Sequence, residues 1–307
     1  MTEPTAVPAS EPRNPTPVEA LQQVFAVIDV QPDPQAGADH FAGINSAIPR
    51  QRLFGGQVLA QSLMAAQKTV PDSRPVHSLH AYFLRPGDPA VPITFAVERL
   101  RDGRSFSARR THALQRGKPL LSMISSYQEP AEGLDHQVGM PKVPGPDELP
   151  TMEAQFGHLD DPVVQRLLHS RPIDMRHVNG SLVLKPDPER AAHQAVWIRA
   201  VARMPDDPVL HTALMAYASD LNLLESIIRR HGLSWVTPGM KTASLDHAMW
   251  FHRPFRMDEW LLYAQESPSA SGARGLGLGR LFTQDGVLVA EVAQEGMMRL
   301  PLPKTTP

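Results

Sequence analysis

The sequence contains no cysteine in its 307 residues. That absence excludes disulfide bonds, thiolate nucleophiles and zinc sites built on cysteine. A chain without disulfides is typical of a reducing compartment, so we expect a cytoplasmic protein. No uninterrupted hydrophobic run approaches the roughly 20 residues that a membrane-spanning helix needs, and no insertion into a membrane is expected. The proline-rich N-terminus also has no apolar segment of the kind found in signal peptides.

Neither sign of charge dominates the chain. It has 30 lysines and arginines against 32 acidic residues, a net charge of -2 and a pI near 6.7. This balance gives no global attraction to nucleic acid, which is therefore not expected as a partner. Hydrophobic residues make up 42% of the chain, enough for a substantial core in one large domain or two ordinary ones.

Several familiar site motifs are missing. There is no Gly-x-Ser-x-Gly elbow, no Walker loop and no His-Glu-x-x-His pair. The run GLGLG at residues 275–279 has no helix behind it, so it does not indicate a dinucleotide site. It predicts a strand that either carries a bulge or is closely approached by another element. We expect neither a cofactor nor a bound metal.

Two short stretches indicate an internal repeat. Residues 78–86 read SLHAYFLRP and residues 244–254 read SLDHAMWFHRP, and their terminal prolines stand 168 residues apart. An Ala-Arg pair follows each copy, ending at Arg109 and at Arg274, an offset of 165. Because loops tolerate small insertions, these changes in offset fit a diverged duplication.

Each half contains one helix-like segment followed by strand-like segments. The first helix is predicted at residues 55–70 and the second, as one long helix, at residues 208–232. The second has an Asp-Asp-Pro start and an Arg-Arg-His-Gly end, which are typical helix boundaries. The strands around them alternate in hydrophobicity and are separated by turn signals. The sequence therefore predicts an α+β fold with a helix packed on an antiparallel sheet in each half.

The segment between the two halves differs from them in amino-acid composition. It is rich in proline, glycine and acidic residues, has one short helical run at residues 162–169, and predicts a connector. The predicted organisation is a disordered proline-rich tail (1–17), an N-terminal unit (18–130), the connector (131–172), a C-terminal unit (173–300) and a second tail (301–307).

Two polar residues interrupt apolar patterns. On the second helix, Asn222, Glu225 and Arg229 form a polar stripe, and Asp220 lies about 200° away from Asn222, toward the sheet. An unpaired carboxylate is costly there, so Asp220 either caps a loop, pairs with a buried arginine or serves a function. On the last strand, Gln294 ends an otherwise apolar face, where its amide either satisfies backbone groups or points into a polar pocket.

Two other polar residues carry weaker signals. Ser244 opens a strand-like segment, where a capping or turn role accounts for it. His247 lies among apolar and aromatic neighbours, which is typical of a hydrogen-bonded core histidine rather than of a catalytic base.

Longer strings in both halves resemble a known family. They are GGQVLAQSL, VHSLHAYFLRPGD, LRDGRSFSARR, AYASDLNLL, LDHAMWFHRPF, EWLLYAQESPSASGARG and QDGVLVAEVAQEGMMR. Over residues 18–299 the chain resembles the acyl-CoA thioesterase II family. The resemblance implies a double hotdog, in which two tandem copies of a long helix are each wrapped by a curved antiparallel sheet. It also implies hydrolysis of medium- or long-chain acyl-CoA to fatty acid and CoA, and a homo-oligomer (a dimer or tetramer of double hotdogs).

The same resemblance implies a catalytic set. By motif it falls on Asp220 in YASD, Ser244 in SLDH and Gln294 in AQEG. The family often has threonine at the middle position, and Ser244 keeps the hydroxyl but not the methyl group. In the implied chemistry, Asp220 is the general base for a water that the other two side chains position, with backbone N–H groups near a helix start stabilising the oxyanion.

In the first half, the repeat places no acid at the equivalent position, which predicts one active site per chain. The counterparts are Gln57, Val76, and Ser125 or Ser126. Four arginines could contact the CoA phosphates or simply lie on solvated strand edges: Arg109, Arg110, Arg274 and Arg280.

Two alternatives stay open from the residues. One is a hotdog enoyl-CoA hydratase, which uses an Asp and a His, although no histidine follows Asp220 at short spacing and His231 lies beyond the helix end. The other is a non-enzymatic acyl-CoA-binding hotdog, which would not need the water-positioning residues.

Overall fold

A computed structural model describes residues 16–37, 39–46, 52–161, 164–165, 168 and 171–300. The predicted C-terminal tail, residues 1–15 of the N-terminal tail and most of the helical run at 162–169 lie outside the described residues. Thr16, inside the predicted tail, is the N-cap of the first helix and forms a capping box with Glu19.

Helices and strands of the described residues are as follows. The helices are α1 (Pro17–Ile28), α2 (Gly55–Gln67), α3 (Met152–Phe156), α4 (Pro208–Ser219) and α5 (Glu225–Arg230), with a 3-10 turn at Pro146–Glu148. The strands are β1 (Gln31–Pro32), β2 (His40–Gly43), β3 (Val76–Phe83), β4 (Ile93–Asp102), β5 (Phe106–Gln115), β6 (Lys118–Gln128), β7 (Ile173–His177), β8 (His193–Ala200), β9 (Lys241–Ser244), β10 (Asp246–Phe251), β11 (Leu261–Ser271), β12 (Arg274–Thr283) and β13 (Leu288–Arg299).

These strands form one antiparallel sheet in the order β1-β2-β4-β5-β6-β3-β10-β13-β12-β11-β8-β7, with β9 added to β13. The strands of the first half, from β1 inward to β3, follow the same connection order as those of the second half, from β7 inward to β10. Each half also has its own helical layer. The α+β double-hotdog prediction is therefore confirmed. No helix in the part of the chain that the structure describes is long and apolar enough to cross a membrane.

The two halves meet at β3 and β10 about a local twofold axis. His80 pairs with Ala248, 168 residues further along the chain, which is the offset of the sequence repeat. The equivalent strands of the two halves, β3 and β10, therefore pair with each other at the axis. The helices also meet there, since the rings of Phe54 and Tyr217 pack edge to face with centroids 4.9 Å apart.

Strand register corrects one equivalence drawn from the sequence. Counted outward from the axis, Ser125 is the counterpart of Gln294, and these two residues pair with Arg109 and Gly277 respectively. Arg109 therefore corresponds to Gly277, and the match of Arg109 with Arg274 at an offset of 165 was wrong. Two-letter matches are too short to fix a register across a β-hairpin.

The predicted long helix at residues 208–232 is interrupted. α4 ends at Ser219 with Asp220 as its C-cap, and α5 begins only at Glu225. The turn between them lies close against β12, where a Cβ atom on Gly277 would stand 3.0 Å from the backbone oxygen of Leu223. The buried amide of Gln265 also donates a hydrogen bond to Asn222 Oδ1 (2.9 Å).

The predicted polar stripe is consequently internal. Glu225 and Arg229 are 4% and 1% exposed. Glu225 accepts a hydrogen bond from Trp235 Nε1 (2.7 Å), and Arg229 donates to the Asp187 carboxylate (2.6 Å). Buried charged groups need such partners. Glu225 and Arg229 therefore face β8 and β11. Asp220, at the break between α4 and α5, lies beside the other half of the molecule.

The glycines of β12 confirm the predicted close approach. A Cβ atom on Gly275 would stand 2.7 Å from Ile227 Cγ2, closer than packed carbon atoms tolerate. Ile227 is 1% exposed on α5, so its side chain has little room to move. The close spacing between α5 and the sheet therefore depends on the absence of a side chain at Gly275.

We expect Gly275→Ala to lower the free energy of unfolding by about 1–3 kcal/mol, because the added methyl group overpacks the α5 contact. Urea denaturation measures this change. The matched control is Gly139→Ala in the connector, where an added Cβ has no atom within 4 Å. Equal stability of the two variants would contradict the packing role of the glycine.

Candidate active site

Three side chains predicted from the sequence lie together. Ser244 Oγ donates a hydrogen bond to Asp220 Oδ1 (3.2 Å), and Gln294 Nε2 donates to the same oxygen (2.8 Å). The Gln294 amide also donates to Ser244 Oγ (2.5 Å). Each residue comes from a different element, namely the C-cap of α4, the end of β9 and the inner face of β13.

An irregular strand places Ser244 beside Gln294. Ser244 pairs with Gly296 of β13, and after Leu245 the chain continues as β10 along the same strand. The Asp246 carboxylate accepts a hydrogen bond from the Glu295 backbone N–H (2.6 Å), which fixes β13 at this point. Asp246 therefore has a structural contact next to the triad.

The first half contributes the N-terminus of α2. A Cβ atom on Gly55, the first residue of α2, would stand 2.6 Å from Asp220 Oδ2. The first N–H groups of a helix have no acceptor within the helix and carry the positive end of its dipole. The candidate site therefore lies between the halves, with Asp220 on the second half and the start of α2 on the first. The sequence predicted backbone N–H donors near a helix start without locating them.

Behind Gln294 lies the buried His247. Its Nδ1 is 3.1 Å from Gln294 Oε1, and its Nε2 is 2.9 Å from Ser219 Oγ. Burial lowers the pKa of His247 to about 4, so the ring is neutral near pH 7. The prediction of a hydrogen-bonded core histidine is confirmed.

Tyr263 is a second buried residue next to the three side chains. Its hydroxyl donates to the Ser219 backbone oxygen (3.1 Å), one residue before Asp220. Burial, and then the negative charge of Asp220, raise the pKa of this phenol well above its ordinary value. Tyr263 is therefore a neutral donor that holds the end of α4.

Arg109 was wrongly included among the possible phosphate-binding residues. Its guanidinium is completely buried and donates to Thr69 Oγ1 (2.7 Å) and to the Asp102 carboxylate (2.8 Å). A group enclosed in this way cannot reach a bound CoA. The other three arginines form ion pairs near the surface, namely Arg110 with Glu98, Arg274 with Glu295 and Arg280 with Glu291.

The first-half residues that the repeat matched to the three side chains do not form a similar triad. Gln57 is the third residue of α2, whereas Asp220 is the C-cap of α4, so the match of Gln57 with Asp220 was wrong. Ser125 shares a hydrogen bond with Tyr127 (3.1 Å), and the Gln57 amide donates to Gln61 Oε1 (3.4 Å). Val76 is apolar and buried at the position of Ser244. The two polar side chains therefore have nearby hydrogen-bond partners of their own, and neither of them contacts a carboxylate in these bonds.

Comparison with known families matches both halves. Residues 174–297 match the model described as acyl-CoA thioesterase, and residues 45–128 match that of the acyl-CoA thioesterase N-terminal domain. Both ranges fall inside the units predicted from the sequence.

Individual relatives cover nearly the whole chain. The chain is 41% identical to human acyl-coenzyme A thioesterase 8, over 90% of this chain and 89% of that protein. It is 38% identical to acyl-CoA thioesterase 2 of Haemophilus influenzae, over 84% and 92%. The crystal structure of acyl-CoA thioesterase II TesB2 from Mycobacterium marinum aligns with a TM-score of 0.73 and 44% identity, over 91% and 98%. The chain therefore belongs to the acyl-CoA thioesterase II family and is a thioester hydrolase.

Proposed function

We propose that this chain hydrolyses medium- and long-chain fatty acyl-CoA by direct attack of a water molecule activated by Asp220 and positioned by Ser244 and Gln294. The observation that carries the proposal is the shared Asp220 Oδ1, which accepts hydrogen bonds from both other side chains. The second carboxylate oxygen lies at the N-terminus of α2. The base and the N–H groups at the start of α2 are therefore next to each other.

The chemistry needs no protein nucleophile. A thioester carbonyl is reactive, and a thiol with a pKa of roughly 8.5 leaves with little help from an acid. Asp220 accepts one proton as the water oxygen bonds to the carbonyl carbon. Ser244 and Gln294, which already contact Asp220, restrict the positions open to that water.

The second step uses the other half of the molecule. The oxyanion of the tetrahedral intermediate accepts hydrogen bonds from first-turn N–H groups of α2, at or next to Gly55. When the intermediate collapses, the carbon–sulfur bond breaks and the proton held by Asp220 passes to the sulfur. The products are the fatty acid and CoA with a free thiol.

The two alternatives fare differently. Membership in a family of thioester hydrolases sets aside the non-enzymatic reading. No observation favours the hydratase, since His247 is completely buried and contacts Gln294 rather than the space beside Gly55. The cytoplasmic location, the homo-oligomeric state and the chain-length range stay predictions.

We expect the purified protein to release free thiol from acyl-CoA, measured with a thiol reagent across a series of chain lengths. Asp220→Asn keeps the shape of the side chain but removes the base, so kcat should fall by about 10²- to 10⁴-fold. Gln294→Ala should also reduce kcat strongly.

The matched control is Ser125→Ala, at the first-half position that corresponds to Gln294, and its kcat should stay unchanged. Thiol release unaffected by Asp220→Asn and Gln294→Ala would refute the site. Hydration of crotonyl-CoA without thiol release would favour the hydratase.

Gly55→Ala tests the contribution of the first half. Its methyl group would collide with Asp220 Oδ2, so kcat should fall by about 10²-fold or more through misplacement of the base. The same substitution at Gly139 should leave kcat unchanged, since no atom lies within 4 Å of the added group. Normal activity of Gly55→Ala would show that α2 does not border the reacting atoms.

A further inference from the structure

We propose that His247 is a positioning residue that fixes which end of the Gln294 amide faces Asp220, by keeping its single ring proton on Nδ1. This inference rests on the proposed function, because it concerns the same site. His247 does not face the substrate, and it acts through the side chain of Gln294.

The two ends of the Gln294 amide have different partners. Its Nε2 lies 2.8 Å from Asp220 Oδ1, and a carboxylate can only accept hydrogen bonds. The nitrogen end must therefore face Asp220. The oxygen end then faces the interior, 3.1 Å from His247 Nδ1.

This orientation determines the tautomer of the histidine. An amide oxygen can only accept, so His247 Nδ1 must carry the proton. A neutral imidazole has one N–H group, and burial keeps this ring neutral by lowering its pKa to about 4. Nε2 is therefore an acceptor, and the Ser219 hydroxyl donates to it across 2.9 Å.

Ser219 has a competing acceptor, which makes the arrangement specific. Its Oγ also lies 3.0 Å from the Ala216 backbone oxygen, the usual acceptor for a serine in a helix. If the hydroxyl donated there, the ring proton could shift to Nε2. The lone pairs of His247 Nδ1 and Gln294 Oε1 would then oppose each other.

The hydrogen bonds close a ring around the catalytic acid. They run from Ser219 to His247, from His247 to Gln294 and from Gln294 to Asp220, and the peptide bond joins Asp220 back to Ser219. Rotation of the amide by half a turn would break two of these contacts. It would also place an amide oxygen against a carboxylate oxygen.

The first half provides an internal comparison. Counted from the twofold axis at His80 and Ala248, the counterpart of His247 is Leu79, and the counterpart of Gln294 is Ser125. Leu79 is completely buried and apolar. The half without the catalytic amide therefore also lacks the histidine that would orient it.

Three substitutions at His247 separate orientation from packing. His247→Asn places an amide N–H near the position of Nδ1, whereas His247→Gln places its amide near Nε2, and His247→Leu copies the first half. We expect kcat for thiol release to stay within about 5-fold in His247→Asn. It should fall about 30- to 100-fold in the other two, the range typical of losing the partner of a catalytic group. KM should change little, since the ring does not contact substrate.

The control is His80→Leu, at an exposed histidine on the neighbouring strand β3, which should leave kcat unchanged. The tautomer is measured on the wild-type protein with ¹⁵N-labelled histidine. Long-range ¹H–¹⁵N correlation should show the His247 proton on Nδ1, with the signal assigned by its loss in His247→Asn. This readout holds even if His247→Leu does not fold.

Several outcomes would overturn the proposal. They are a proton on Nε2, wild-type kcat in His247→Leu, or equal losses in the Asn and Gln variants, which would indicate packing alone. Absence of thiol release by the wild-type protein would instead refute the proposed function, while the tautomer measurement would still decide the hydrogen-bond pattern.

Discussion

One carboxylate oxygen connects three separate segments of this chain. Asp220 Oδ1 accepts hydrogen bonds from Ser244 at the end of β9 and from Gln294 on β13, while the carboxylate itself lies at the break between α4 and α5. A partly buried carboxylate without donors would cost free energy, so these contacts stabilise the very groups that the proposed reaction uses. The positions of β9, β13 and the helical turn are thereby coupled.

The break in the second helix is what allows this convergence, and its cause lies in the sheet. Gly277 lets the turn approach β12, and Gln265 on β11 holds Asn222. A continuous helix would keep its backbone groups bonded internally and carry the polar stripe and the acid on opposite faces. The interrupted helix instead buries Glu225 and Arg229 in one half and presents Asp220 to the other half. The duplicated fold therefore places the acid of one copy against the helix N-terminus of the other.

The sequence predicted the repeat, the strands and the anomalous Asp220 and Gln294, because these depend on periodicity and on the cost of burying polar groups. It could not predict the helix break, since the spacing of Asn222, Glu225 and Arg229 fits an unbroken helix and the residues that interrupt it lie some 40 to 55 positions away on β11 and β12. Nor could it show that Arg109 is enclosed by Thr69 and Asp102. Ser244 has no distinguishing local pattern, and only the family resemblance singled it out. Contacts across the twofold axis, such as Gly55 with Asp220, depend on how the two copies pack.

Isotope transfer in a single turnover distinguishes direct attack by water from attack by the Asp220 carboxylate followed by hydrolysis of the anhydride at the Asp220 carbonyl. Excess enzyme is mixed with acyl-CoA in H₂¹⁸O, and the fatty acid and the peptide that contains Asp220 are analysed by mass spectrometry. Attack by water predicts one ¹⁸O atom in the fatty acid and none in Asp220. An unlabelled fatty acid with ¹⁸O in Asp220 would show an acyl-aspartyl intermediate and would contradict the role of Asp220 as a general base.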